Sequence, residues 1–319
     1  MSSSSNSARS SRLPEWLKVR LPRDGCFGHS RTLLSDLSLN TVCQSARCPN
    51  VFECFSKRTA TFLIMGRVCT RDCAFCNISP GSPEPLDPGE PARVAEAAAR
   101  LGLRHVVITS VTRDDLPDGG ASHFAAVIRA VRQSAQSDDG PLASPAGADE
   151  QGAASPRPLR PLRVEALIPD FQGSAAALAE VLDAGLDVLN HNVETAAALH
   201  PRIRPQADYV RSLELLARAK ADGRVLTKSG FMLGLGESLD QAKMVIRDLR
   251  GVGCDIVTIG QYLRPSARHP EPARYAHPDE FAELAAHGRE LGVPNMFCGP
   301  LVRSSYHAEA MAETVAPRP

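Results

Sequence analysis

From Thr59 onward, short β-branched runs alternate with Ala- and Leu-rich stretches of helical period, and no other property of the chain narrows its fold as sharply. Six candidate strands stand out: TATFLIMG (59–66), HVVITSV (105–111), RVEALIPD (163–170), DVLNHNVET (187–195), LTKSGFMLGLG (226–236) and DIVTIGQYL (255–263). The intervening stretches have one apolar face; in EPARVAEAAARLGL, Val94, Ala95, Ala98 and Leu101 share one side of a helix. Buried strands separated by helices imply a parallel sheet, and right-handed crossovers curl such a series toward a barrel. Six units fall short of the eight of a full (β/α)8 barrel, so the expected fold is α/β, a partial (β/α)6 TIM-type barrel over residues 59–297.

One segment breaks the alternation. Residues 134–161 contain 18 Ala, Ser, Gly or Pro among 28 and offer too little apolar surface to order themselves. They follow a helix and precede a strand, which places them as an insertion at the N-terminal face of the barrel, opposite the face where such barrels carry their sites. Residues 1–13 read as a Ser-rich disordered leader, 14–58 as an N-terminal extension and 298–319 as a C-terminal extension with its tail.

The 36 basic and 36 acidic side chains balance, which predicts no general attraction to nucleic acid or anionic membranes. No apolar run approaches the roughly 20 residues that span a bilayer, and no secretory signal is evident. A soluble, cytoplasmic protein with reduced thiols is expected. In such a compartment clustered cysteines point to metal rather than disulfides.

Six of the nine cysteines lie between Cys43 and Cys76. Cys69-x₃-Cys73-x₂-Cys76 directly follows the first expected strand. Zinc favours paired C-x-x-C units giving four ligands, whereas three thiolates here crowd an eight-residue loop. Iron–sulfur clusters are held by thiolates, usually four, so three on a four-iron cube leave one iron open to a substrate or cofactor. The upstream triad, Cys43-x₄-Cys48-x₅-Cys54, again offers three thiolates, and a second cluster is its natural reading. The missing ligand must come from elsewhere; GPLVRSSYHAEA at 299–310 supplies a hydroxyl at Ser304 or Ser305.

The second triad, with Phe75 immediately before its last cysteine, resembles the signature of the radical S-adenosylmethionine (SAM) enzymes. That resemblance implies that SAM chelates the open iron of the Cys69–Cys73–Cys76 cluster and that Phe75 packs by the adenine. Taken with the upstream triad, RDDLPDGG (113–120), HNVET (191–195), GLGE (234–237), QYLRPS (261–266) and RSSY (303–306), the chain is similar to the lipoyl synthases over roughly residues 14–312. These enzymes insert sulfur at C6 and C8 of an octanoyl chain held on a lysine of a carrier domain. Membership would imply two [4Fe-4S] clusters, SAM as cosubstrate and a sulfur-donating auxiliary cluster on Cys43, Cys48, Cys54 and Ser305. It would also imply octanoylated partners such as the glycine-cleavage carrier protein and 2-oxoacid dehydrogenase acyltransferase subunits, a flavodoxin- or ferredoxin-type reductant and a cluster-repair carrier. Ser305 is preferred to Ser304 by that analogy alone. Arg303 and Tyr306, flanking these serines, are candidates for guiding the substrate chain or shielding the cluster.

Cofactor contacts are expected where strands end. Asn192 and Glu194 alternate at the close of one strand and so share a face, suited to ribose hydroxyls or the methionyl amine. Lys228, at the start of the next strand, is a candidate for a carboxylate, and Gly234 and Gly236, at that strand's end, would let backbone approach a ligand at the barrel mouth. The plain alternative is that the polar groups cap strand ends and the glycines only make a turn. His191, His269 and His307 are read as hydrogen-bonded structural residues. Cys26, Cys254 and Cys298 are not expected to bind iron, with Cys254 a small core hydrophobe.

Three rival readings are another two-cluster sulfur-inserting radical enzyme, a zinc-binding structural module and a plain electron carrier. The first leaves RSSY unexplained, and the last has no use for an open-iron triad. Protein purified without oxygen is expected to be brown, with broad visible absorption and iron in excess of zinc by metal analysis; colourless, zinc-loaded protein would favour the structural module.

Overall fold

The computed structural model describes residues 13–18, 26–56, 61–136, 162–305, 308–309 and 311. Its strands are β1 (Asn40–Thr41), β2 (Thr61–Ile64), β3 (Val68–Cys69), β4 (Ser79–Pro80), β5 (His105–Ser110), β6 (Arg163–Leu167), β7 (Val188–Asn190), β8 (Leu226–Leu233), β9 (Ile256–Gln261) and β10 (Asn295–Cys298). One eight-stranded sheet runs β1-β2-β5-β6-β7-β8-β9-β10, and β3 pairs with β4 in a small parallel ribbon. From β2 to β10 every neighbouring pair is parallel, whereas β1 lies antiparallel on β2. Among the described residues no pairing joins β10 to β1, so the sheet forms an open, partial barrel.

The six expected β/α units are present, each strand shorter than its sequence pattern. Two strands extend them. Asn295–Cys298 continues the ladder on β9, with Cys298 opposite Ile259, so the expected boundary at 297 falls inside a strand. The run is too short to carry a period of its own; β9 supplies its order. At the other edge β1 covers β2, which blunts the exposed ladder.

The crossover helices bury the faces their sequences offer. In Glu90–Leu101, the four expected core positions Val94, Ala95, Ala98 and Leu101 are all buried, and Gly102 closes the helix at a φ of 65°, a left-handed cap that favours glycine. The helix Ala121–Gln136 takes the first three residues of the expected insertion into its last turn. Residues 137–161 lie outside the described residues, as do the leader through residue 12 and the tail from 312. No helix among the described residues is long and apolar enough to cross a membrane.

A charged pair is sealed between the strands of the sheet. Lys228 on β8 donates to both carboxylate oxygens of Glu165 on β6, at 3.0 and 3.2 Å. His105 Nε2 lies 3.2 Å from the same carboxylate, and Asn190 donates to it at 2.9 Å. Burial by itself would push Glu165 up, but the Lys228 charge and these hydrogen bonds win and hold it at about 2. Because Glu165 is depressed when folded, its contribution to stability is present above the ordinary carboxylate range and lost as pH falls toward 2. Replacing Lys228 with Ala strands that charge, and is expected to cost about 3–5 kcal/mol in denaturant unfolding at neutral pH, with a smaller penalty in mild acid.

Candidate iron–sulfur and cofactor site

The loop that carries Cys69, Cys73 and Cys76 leaves the C-terminal end of β2 and is fixed by contacts from several sides. Thr70 N–H donates to the Thr112 carbonyl at 3.1 Å, and Ala74 N–H reaches the Ile203 carbonyl at 2.9 Å. His269 Nε2 donates to the Cys76 carbonyl at 2.9 Å, and Asn77 donates to the Ser45 carbonyl at 2.7 Å. The strongest restraint is Arg71, which lies buried between Asp114 and Asp170. Its guanidinium forks onto Asp114 at 2.6 and 2.9 Å and meets Asp170 at 2.6 Å. Burial opposes ionisation of Asp170, yet Arg71 outweighs it and holds the carboxyl at about 2. Asp114 belongs to the RDDLPDGG stretch, whose Arg113 pairs with Asp115 and whose Asp118 accepts from Gly120 N–H at 2.9 Å. The motif therefore acts locally as a brace for the cysteine loop.

The first triad is carried by two short helices, Val42–Ser45 and Val51–Ser56, and the turn between them. Thr41 caps the first by accepting from Gln44 N–H at 3.3 Å. Asn50 donates to the Leu301 carbonyl at 2.8 Å and Arg47 to the Pro265 carbonyl at 3.3 Å, which joins this layer to the C-terminal segment and to the QYLRPS loop.

One cavity of about 620 Å³ opens at the C-terminal ends of β2, β5, β6, β8 and β9, and all six cysteines of the two triads line it. Phe75, Asn192, Glu194, Ser304 and Ser305 line it as well, so most of the expected site residues converge. The Ser304 hydroxyl donates to Asn192 Oδ1 at 2.7 Å. Tyr306 and His307 lie outside the described residues, as does the Cys26 side chain.

Three expected contacts are corrected. Lys228 does not line the cavity, because its ammonium is engaged by Glu165 beneath it. Gly234 and Gly236 do not line it either. A Cβ on Gly234 would stand 2.2 Å from Gln261 Nε2 and 2.7 Å from the Arg274 carbonyl, so protein rather than ligand fills that space. The free N–H groups of this turn point at Glu237, with Gly234 N at 2.6 Å and Leu235 N at 2.9 Å. Asn192 and Glu194 do face one cavity, but not by strand alternation: β7 ends at Asn190, and Glu194 adopts a left-handed φ of 67° while bridging Phe231.

Two residues that sequence reasoning passed over, Arg204 and Gly230, also belong to the site. Arg204 lines the cavity and donates to the Asn192 carbonyl at 3.0 Å. Gly230 lines it too, where a Cβ would come within 3.1 Å of Asn192 Oδ1; glycine inside a strand was the available signal. His191 Nδ1 donates to the Ile168 carbonyl at 2.8 Å while Nε2 has no hydrogen-bond partner among the described residues, and burial brings the imidazole down to about 4. Cys254 is wholly buried in the core, as expected. All eight described cysteines are free.

Burial pushes the thiols up: Cys43 to about 11, Cys76 to about 12, and Cys48 and Cys73 in the same direction. The charge of Arg303 opposes this at Cys48 and that of Arg204 at Cys73. Cys69 Sγ accepts from two backbone N–H groups, Thr112 at 3.2 Å and Arg71 at 3.4 Å. Among the described residues no three or more His, Cys, Asp or Glu side chains close on a single metal ion. An iron–sulfur cube spreads its thiolates over separate irons, and the donor set here suits that: three thiols from each triad line one cavity, with N–H groups aimed at Cys69 and the charges of Arg204 and Arg303 acting on Cys73 and Cys48.

The family model of the radical SAM superfamily matches residues 63–249, and that of the N-terminal domain of lipoyl synthase matches residues 2–48. The second match takes in most of the Ser-rich leader, beyond the limit read from the motifs. Lipoyl synthase of Oleidesulfovibrio alaskensis is 58% identical over 98% of this chain and 99% of the relative; that of Caldanaerobacter subterraneus is 51% identical over 93% and 96%. Among solved structures, Streptococcus suis SuiB bound to S-adenosylmethionine aligns with a TM-score of 0.54 at 12% identity over 85% of this chain and 59% of that one. The hydrogenase maturase HydG aligns at 0.52 and 14% over 93% and 65%. At such identities these two establish the fold alone.

Substituting Arg71 with Met leaves Asp170 sealed in the core without its main partner, at a cost of about 3 kcal/mol. Anaerobically reconstituted R71M is expected to lose iron from the second triad while keeping that of the first, as read by iron analysis. R71K is expected to recover little, since a single ammonium cannot bridge two carboxylates as the guanidinium fork does.

Proposed function

The chain belongs to the lipoyl synthases of the radical SAM superfamily, and on that premise we propose how its residues divide the insertion of two sulfur atoms, at C6 and C8, into a protein-bound octanoyl chain. The observation that carries this reading is the convergence of both cysteine triads and Ser305 on one cavity at the barrel mouth.

Cys69, Cys73 and Cys76 would hold a [4Fe-4S] cluster with an open iron, and Cys43, Cys48, Cys54 and Ser305 a second one. When bound, the cluster on Cys69, Cys73 and Cys76 would supply, with SAM, a carbon-centred radical able to break unactivated C–H bonds, and the cluster on Cys43, Cys48, Cys54 and Ser305 would supply sulfur. The protein's share is placement. Arg71 and its two carboxylates fix the loop of the second triad, and Phe75 stands beside it to meet an adenine. Asn192 and Glu194 face the same space with groups suited to ribose hydroxyls or an amine. Burial keeps the Glu194 carboxyl above the ordinary carboxylate range, with Arg204 opposing.

Ser305 is favoured over Ser304 because the Ser304 hydroxyl is already committed to Asn192. Serine oxygen is a harder ligand for cluster iron than thiolate, so the iron it holds is the easier to release when the cluster is dismantled for sulfur. Arg303, half-buried near Cys48, brings positive charge to that upstream thiol. The partners that follow are octanoylated carrier domains of the glycine-cleavage and 2-oxoacid dehydrogenase type, a flavodoxin- or ferredoxin-type reductant and a cluster-repair carrier, in a cytoplasmic setting.

Reconstituted protein incubated without oxygen with an octanoyl-lysine peptide, SAM and reductant is expected to give a peptide bearing two added sulfurs, together with 5′-deoxyadenosine, both read by mass spectrometry. Cys48→Ala should still release 5′-deoxyadenosine but transfer no sulfur; Cys73→Ala should do neither. Undiminished sulfur transfer by Cys48→Ala would remove the first triad from the reaction.

A further inference from the structure

Residues 299–303 are tied to the barrel by a succession of contacts. Gly299 N–H donates to the Ile259 carbonyl at 3.0 Å, and Gln261 N–H donates to the Pro300 carbonyl at 3.2 Å. Asn50 holds the Leu301 carbonyl at 2.8 Å. At Val302 the chain lies directly on β9: a Cβ on Gly260 would stand 2.1 Å from the Val302 carbonyl oxygen, so this contact requires glycine. Past that point the anchoring becomes local. The Arg303 guanidinium donates to the carbonyls of Pro300 at 3.4 Å and Val302 at 2.6 Å, within its own turn. Among the described residues, the last hydrogen bond from this segment to the barrel before Ser305 is that of Ser304 to Asn192, spanning 112 positions of sequence.

Asn192 is itself held firmly. Its amide lies over Gly230, which has no Cβ to displace it, and its carbonyl accepts from Arg204 at 3.0 Å. Arg204 acts electrostatically on Cys73 of the second triad. A continuous line of contacts therefore runs from Cys73 through Arg204, Asn192 and Ser304 to the residue that follows, Ser305.

We infer that Ser304 is a positioning residue: its hydrogen bond to Asn192 fixes the segment that presents Ser305 to the first triad, and ties it to the half of the cavity occupied by the second. This rests on the reading of Ser305 as an iron ligand. Asn192 faces the proposed cofactor space with the same amide that receives Ser304, so a cofactor bound there acts on the Ser305 segment. By linkage the influence is reciprocal.

The test is iron release to a chelator from anaerobically reconstituted protein, with and without SAM, for the wild type, Ser304→Ala, Ser304→Thr and Ser305→Ala. First-triad iron is assigned by subtracting the release from a chain whose Cys43, Cys48 and Cys54 are all alanine. Ser304→Ala is expected to release first-triad iron roughly two- to tenfold faster, the range one neutral hydrogen bond supports. Ser304→Thr, which keeps a hydroxyl, should return the rate to near wild type. SAM should alter the wild-type rate and leave that of Ser304→Ala unchanged. Wild-type release by Ser304→Ala, with faster release by Ser305→Ala, overturns the inference and leaves the Ser305 ligand standing. Wild-type release by Ser305→Ala removes Ser305 from the ligand set, and the positioning role falls with it. A SAM effect in Ser304→Ala as large as in the wild type overturns the link between the two halves.

Discussion

Buried thiolates are unfavourable unless positive charge or hydrogen-bond donors meet them, and this constraint shapes the whole mouth of the barrel. Four of the six triad thiols are pushed above their ordinary range by burial. The structure answers with local means: N–H groups aimed at Cys69, the Arg204 charge near Cys73 and the Arg303 charge near Cys48. Iron would supply the remaining positive charge, so cluster assembly and thiol ionisation are one event.

Charged side chains in this protein divide into two roles according to depth. Below the cavity, Glu165 and Lys228 neutralise each other among the strands and contribute to the integrity of the sheet rather than to a ligand. At the rim, Arg71 with Asp114 and Asp170 does the corresponding work for a loop. A loop that must hold three sulfurs in register has little apolar surface with which to order itself, so a buried guanidinium fork between two carboxylates replaces the hydrophobic packing available to a helix.

Much of the fold was legible because buried parallel strands and amphipathic helices leave periodic signals. The face of Glu90–Leu101 could be read residue by residue. β10 could not, since four residues carry no period and owe their order to the edge of β9. The candidate site shows a similar split. Cysteine spacing located both triads, whereas Lys228, Gly234 and Gly236 were misplaced because the carboxylates that claim the lysine and the glycine turn are chosen by tertiary contacts, not by spacing. Lys228 turned to Glu165, 63 positions away in sequence, and the glycine turn folded onto Glu237.

The sequence alone determined the chemistry on offer: six thiols in two triads, three sulfurs each, and a parallel α/β scaffold, because spacing and periodicity are local properties that survive in one dimension. Only the tertiary structure decided that the two triads share one cavity, that Ser304 is engaged by Asn192 while Ser305 remains at the cavity wall, and that Arg204 and Arg303 bring positive charge to Cys73 and Cys48. These depend on contacts between residues scores of positions apart, which are set by how the strands register and where the crossovers return the chain.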